Sequence, residues 1–349
     1  MENIVINETP VRTSNNFAIN NIKLKNVEIP SDTTTFRNVD IISKNSIIEE
    51  NLQIPRFTYG LGEILEENIS KNANNRIRLI IKDKDSVDIT YNFNIGNTEL
   101  INYIEIIAND DADIIIKYKS EIEAANFNNS KIKLIAKKEV KVNVTIVNLL
   151  NDESNNFLAI ENDIYENSDV RYTIVDLGAK KSVCNCFANV LGKESNYTLK
   201  TIYLGIDNQI KDINYIAELK GENTNVDIDV QGALKDYAKK NFKGTIDFKK
   251  GAKKSKGNET EYCMLLSENA RAIALPMLLC TEDDVEGNHA TASGEVDKAQ
   301  LFYIMSRGFN KKEAIKLMVR ARFENILNGI NNENIKKDII EQIDRRLEK

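Results

Sequence analysis

The sequence predicts a mainly β protein: a parallel β-helix, or solenoid, with a C-terminal α-helical domain and a partly helical N-terminal arm. Three observations predict it. The middle of the chain repeats, as SDVRYTIVDLG (168–178), SNYTLKTIYLG (195–205) and ENTNVDIDVQG (222–232), and the closing glycines Gly178, Gly205 and Gly232 fall 27 residues apart. Each repeat is a polar turn followed by a β-branched run of period two, the pattern of a strand with one face in and one face out. After Glu295 the apolar spacing changes to that of helices.

The elements divide into three stretches. Residues 1–70 have weak periodicity and read as an extended arm with a short helix near Gly62–Leu65. Residues 71–295 read as the solenoid. Its earlier strands are the runs 76–82, 88–95, 103–108, 113–118, 131–136 and 140–147, separated by polar or Gly/Asn turns. The constant interval favours stacked rungs, which bury a continuous apolar column, over the competing two-sheet antiparallel sandwich. The closing glycines are expected to supply left-handed corners. Residues 296–349 read as three amphipathic helices. Asp297-Lys-Ala-Gln300 resembles a capping box, with Leu301, Phe302, Ile304 and Met305 behind it and Gly308 as the stop. Asn310-Lys-Lys-Glu313 is a second box, followed by Ala314, Ile315, Met318, Val319, Phe323, Ile326 and Leu327 at helical spacing. The third helix carries Ile335, Ile339, Ile340, Ile343 and Leu347.

Composition narrows the function. Apolar content of 42% with 29% charged residues is the balance of a soluble globular protein. The net charge of −6 provides no basic field for nucleic acid. No apolar run reaches the ~20 residues of a membrane span, and the N-terminus lacks the pattern of a signal peptide. Four scattered cysteines are too few for a disulfide framework, so reduced thiols in a cytoplasm are expected. No Walker loop is present, so no nucleotide is expected to bind this chain through that motif.

One stretch concentrates candidate chemistry. His289 is the only histidine, and Glu282-Asp-Asp284 and Glu286 precede it with Cys280 close by. A neutral imidazole is a borderline ligand suited to iron, while carboxylates are hard ones. A lone histidine is more often a hydrogen-bonded structural residue, and the acidic run also suits a solvated turn whose carboxylates satisfy backbone. Glu286 stays a metal candidate beside His289. Cys280 ends the apolar run Leu275–Leu279, where a buried small hydrophobe is the ordinary fate of a free cysteine; Cys263 is also placed on a core strand. Cys184-Asn-Cys186 puts two sulfurs on one strand face, but no second pair completes a metal site. Arg307, at the end of the first C-terminal helix, complements its dipole.

From Ala233 onward a family pattern emerges. Ala233-Leu, Phe242-Lys-Gly-Thr-Ile-Asp, Leu265-Leu-Ser, Pro276-Met-Leu, Glu282-Asp-Asp-Val, His289-Ala-Thr and Leu301-Phe-Tyr-Ile-Met-Ser-Arg-Gly resemble, in order and spacing, the SufB/SufD family of iron–sulfur cluster assembly proteins. The resemblance covers residues ~165–325 and is weak over the first ~150. It is closer to SufD than to SufB. SufB carries a reactive cysteine before the family proline, whereas 267–275 here has none, and SufB has glutamate where this chain has Ala290. The resemblance implies a right-handed β-helix that pairs with a SufB-like β-helix. It implies a helical domain that docks the SufC ATPase through Leu301, Phe302, Tyr303, Met305, Arg307, Ala314, Met318 and Phe323. It also implies a transient iron–sulfur cluster at the shared interface, near His289. Such a chain is a non-enzymatic scaffold. Two alternatives remain at this point: a self-sufficient homodimer with SufC in which Cys280 and His289 hold the cluster, and a β-helix carbohydrate-active enzyme. The absence of Trp and of an aromatic ladder speaks against the latter.

Overall fold

The computed structural model describes residues 2–13, 19–57 and 59–349. Its N-terminal part holds β1 (Glu2–Ile6), β2 (Ile22–Val27), β3 (Val39–Ile42), β4 (Ile47–Glu50) and α1 (Glu63–Asn72). Eight rungs of two strands follow: β5 (Asn75–Ile81) with β6 (Asp85–Phe93), β7 (Glu99–Ala108) with β8 (Ala112–Ser120), β9 (Phe127–Ala136) with β10 (Lys141–Leu149), and β11 (Asn155–Ile164) with β12 (Asp169–Asp176). The second half contains β13 (Lys181–Val190) with β14 (Asn196–Gly205), β15 (Ile210–Leu219) with β16 (Asn225–Leu234), β17 (Lys239–Phe248) with β18 (Ser255–Leu265), and β19 (Arg271–Cys280) with β20 (Val285–Glu295). The helices α2 (Lys298–Ser306), α3 (Lys311–Leu327) and α4 (Glu333–Glu348) complete the chain.

From β5 onward the odd-numbered strands stack in one sheet, with β4 at its end, and the even-numbered strands in the other, with β3 at its end, nine strands in each. Every pairing between rungs is parallel. The chain is therefore a parallel β-solenoid, and the antiparallel sandwich is excluded. The alternating sequence explains why it stacks. Val87, Ile114, Val144, Tyr172, Leu199 and Ile228 are in-register partners on successive even strands, forming one inward column of the core. Ile77, Ile104, Ile132 and Ile160 begin the facing column.

Two details differ from expectation. The repeat found in the sequence covers only the even strand of each rung, and its third copy is offset by two: Gly205 pairs with Leu234, and Gly232 with Tyr203. A slip of two residues keeps every side chain on its own face, so the alternating pattern tolerates it. The left-handed corners are not at Gly178, Gly205 or Gly232. Within rungs they fall on Glu139, Asn167, Glu194, Asn223 and Lys254, with φ of 62°, 56°, 58°, 56° and 59°, and on Gly251; between rungs they fall on Ala179, Asp207 and Asp236. Gly232 is required by space instead, because a Cβ there would fall within the Tyr203 ring.

Both outer faces are covered. Ile4, Ile6, Ile22 and Leu24 of the antiparallel pair β1–β2, with Leu65 and Ile69 of α1, pack on Tyr103, Phe127, Phe157 and Val183 of the odd sheet. The arm thus carries four short strands and one helix. On the even sheet, Val319, Phe323, Ile326, Ile339 and Ile343 of α3 and α4 cover Val147, Val175, Ile202 and Leu204. Asn310 and Glu313 form the capping box read in the sequence, and Asp297 caps α2 through the amides of Ala299 and Gln300. The solenoid's first rung is closed: β3 and β4 add antiparallel to β6 and β5, and Phe36 packs edge-on against Tyr91 and Phe93.

Candidate functional site at the open end of the solenoid

Among the described residues the last rung has no such cover. The described strands β19 and β20 each have a neighbour on one side only, β17 and β18. Their inward residues are therefore exposed where the equivalents one rung below are buried. Leu278 is 40% exposed, whereas its partner Ile246 is fully buried. Pro276 suits such a strand, because proline is tolerated at a sheet edge.

His289 lies on the inward face of β20. Its register partner is Glu259, so it stands at the top of the column that begins at Val87. Glu259 is 0% exposed, and neither carboxylate oxygen has a hydrogen-bond partner among the described residues. Burial, and then the charge of Glu261, push its pKa up to about 8. Glu261, two residues along on the same face, is different. One of its oxygens accepts from Lys240 Nζ at 2.7 Å and from Tyr203 Oη at 3.0 Å. Lys240 also donates to the Ile273 carbonyl at 3.2 Å, tying this cluster to the final rung. Burial pushes the Cys263 thiol beside it up to about 11. The Val87 column is thus apolar for six rungs and polar at the last two. Sequence reasoning missed Glu259, Glu261 and Lys240. Their signal was two acidic residues at inward positions of the strand Ser255–Leu265.

The other candidates fall elsewhere. Glu286 pairs with Lys256 at 2.9 Å on the exposed surface. It sits three residues from His289, hence on the opposite face of β20, and does not join it. Cys280 is exposed rather than buried, and its thiol donates to the Glu282 carbonyl at 2.9 Å. The structure does not bring it to His289. Leu278 lies over Gly287 (a Cβ there would be 2.9 Å from Leu278 Cδ1), and Cys280 and His289 extend from this contact in opposite directions. Four residues of strand, ~13 Å at ~3.3 Å per residue, separate them. Glu282 accepts from the amides of Gly251 at 2.9 Å and Asp283 at 3.1 Å, a turn role. Cys184 and Cys186 point into the apolar core, where burial raises both thiols, Cys186 to about 12. Among the described residues no three His, Cys, Asp or Glu side chains are grouped to hold a metal ion.

The residues assigned to a docking surface divide into two sets. Phe302, Tyr303 and Met305 of α2 are exposed, at 73%, 57% and 40%. Arg307 is exposed and donates to Tyr303 Oη at 3.0 Å, with its guanidinium over that ring. Leu301 is half-buried against the apolar layer on the even sheet. Ala314, Met318 and Phe323 are buried. None of the three presents a surface, and Met318 and Phe323 belong to the stripe that covers the even sheet.

A groove of about 740 Å³ runs along the even sheet beside the α3–α4 turn. It lacks the exposed aromatic platform of a carbohydrate-binding groove. Its aromatic residue, Tyr172, is in the core, and Asp113 and Asp227 are bonded to Asn143 and Asn258. Those aspartates are four rungs apart, ~19 Å at ~4.8 Å per rung, beyond the ~9.5 Å limit for a catalytic carboxylate pair. No helix among the described residues is long and apolar enough to cross a membrane.

Comparison with known proteins agrees with this geometry. A family described as "SUF system FeS cluster assembly, SufBD core domain" matches residues 93–322. The chain is similar to the iron-sulfur cluster assembly protein SufD of Bacillus subtilis, 33% identical over 159 residues, 46% of this chain and 36% of the relative. It is similar to an iron-sulfur cluster assembly SufBD family protein of Pyrococcus horikoshii, 30% identical over 164 residues, 47% of this chain and 36% of the relative. With SufD of Escherichia coli it is 29% identical over 106 residues, 30% of this chain and 25% of the relative. The matched stretch thus spans well under half the length of these relatives. The chain belongs to the SufBD family of the SUF iron–sulfur cluster assembly system and is SufD-like within it.

Proposed function

We propose that this chain is a non-enzymatic scaffold subunit of the SUF complex, pairing with a SufB-like β-helix through the open end of its solenoid. The observation that carries this reading is the uncovered last rung, with His289 on its lumen side and the opposite end closed by Phe36. Two unpaired sheet edges at one end are a template for continuing both sheets into another chain. The nascent cluster is the cargo of that interface. Clusters are held by several ligands, thiolates above all. One imidazole with no thiol near it supplies at most one, so the rest come from the partner. The exposed Phe302, Tyr303 and Met305 serve as the platform for the SufC ATPase.

The test is anaerobic co-expression with SufB and SufC, comparing the parent chain with His289→Ala. The expected result is an intact complex that loses its cluster absorbance. Failure of the parent chain to co-purify with SufB would sink the reading. A cluster-bearing homodimer would replace it with pairing between two copies through the same edges.

A further inference from the structure

We propose that Lys240 is a positioning residue for the open end: its ammonium holds β19 as an ordered edge, ready to pair with a second β-helix. This deepens the reading above and rests on it only for what pairs there; the order of the edge belongs to this chain alone.

β19 is weakly held by its ladder alone. It has a neighbour on one side only, and Ile273 and Leu278 on it are exposed, so little apolar burial fixes it. Pro276 faces Gly244 of β17 and brings no N–H to the ladder between them. Rungs below add side-chain bonds to their ladders. Asn162 donates to the Phe187 carbonyl at 3.0 Å, tying β11 to β13. Lys243 and Asn241 both reach Asp212, at 2.6 and 3.2 Å, tying β17 to β15. Among the described residues β19 receives one such bond from another strand, from Lys240 Nζ to the Ile273 carbonyl at 3.2 Å.

Lys240 is aimed at this contact. It points into the lumen from β17 and is in register with Ala272, so its ammonium rises one rung to reach Ile273. Its side chain is fully buried. Across the lumen one oxygen of Glu261 accepts from Lys240 at 2.7 Å and from Tyr203 Oη at 3.0 Å. The cluster thus joins β14, β17 and β18 to the edge strand. Neutralising Glu261 would by itself need no contact above it. A hydrogen bond from a charged donor is stronger than a neutral one, and here water is excluded from it. Pairing by strand addition requires an ordered edge. An edge ordered in advance removes the entropic cost of ordering it when the partner arrives.

The test is deuterium exchange of the β19 amides, read by mass spectrometry on the isolated full chain, beside its affinity for SufB. Glu261→Gln keeps Lys240 and its bond to Ile273. Lys240→Met with Glu261→Gln removes that bond without leaving a buried charge. The amides of β17 are the internal reference, and chemical denaturation gives the global stability of each variant. The expected result in the double variant is exchange of β19 about tenfold faster or more, with β17 unchanged and SufB bound about tenfold more weakly. Glu261→Gln should keep the parent ratio between the two strands. A parent-like ratio in the double variant would overturn the proposal, and so would unchanged SufB affinity with β19 frayed. A parent chain that does not bind SufB rejects the scaffold reading, and exchange on the isolated chain still decides whether Lys240 orders the edge.

Discussion

Lys240 Nζ lies 2.7 Å from a carboxylate oxygen of Glu261, and both side chains are fully buried. The pair crosses the lumen from β17 to β18, one rung below the opening. Removing one partner leaves an uncompensated buried charge, so Lys240→Met is expected to destabilise by about 3–5 kcal/mol. Lys240→Met with Glu261→Gln is expected to regain most of that loss. Chemical denaturation of the two variants checks this. A double variant no better than the single one would mean that the pair acts through packing instead.

Asp85 fastens the closed end. Its carboxylate accepts from the hydroxyls of Ser43 and Ser46, both at 2.6 Å, and from the amides of Asn45 and Ser46. Burial disfavours the charge, but these bonds outweigh it and hold the pKa well below the ordinary aspartate value of 3.8. A depressed folded-state pKa contributes stability that is complete above the unfolded value and is lost as pH falls through the folded one. Asp85→Asn is therefore expected to cost about 2 kcal/mol at neutral pH. The deficit should shrink once the pH drops below 3.8. Denaturant midpoints for both proteins across an acid series would show it, and a deficit independent of pH would count against it.

Only one thiol is expected to react in the native protein. Cys184, Cys186 and Cys263 are buried with raised pKa values, and the thiolate is the reactive form. Cys280 is exposed. A thiol reagent such as iodoacetamide should modify Cys280 alone, with the rest reacting on unfolding, and Cys280→Ser should abolish native labelling. Peptide mass mapping decides it; native labelling at Cys263 would show that the lumen opens.

The C-terminal helices separate docking from packing. Phe302→Ala and Tyr303→Ala are expected to leave stability within about 0.5 kcal/mol and to weaken SufC co-purification. Phe323→Ala is expected to cost about 3–5 kcal/mol by opening a cavity over the even sheet. Pull-down with SufC beside thermal denaturation distinguishes them. Unchanged SufC binding in the α2 variants would place the platform elsewhere.

Much of the architecture was legible because it depends on local pattern. Period-two runs such as Val142 to Ile146 state which side faces in, and Asn310 with Glu313 marks a helix start within four residues. The register was less legible. Gly232 faces Tyr203 because corner lengths vary, and a period-two pattern reads the same after a slip of two. The arm was missed as strand because β1 to β4 are short and pair antiparallel with distant segments. At the site, His289 stood out as a residue type. Its partner did not, since Glu259 is thirty residues away and reads as an ordinary polar residue until the strands stack.

The sequence by itself determined the solenoid, the three C-terminal helices and the family, all of which rest on periodicity and on motifs close together along the chain. Only the tertiary structure decided that Cys280 is exposed and remote from His289, that Glu286 points away, that Phe323 is core, and that an unpartnered Glu259 lies beneath the histidine. The physical reason is that exposure and charge pairing are set by what stacks on each rung. The last rung, with none of the described strands above it, turns residues that would otherwise be core into surface.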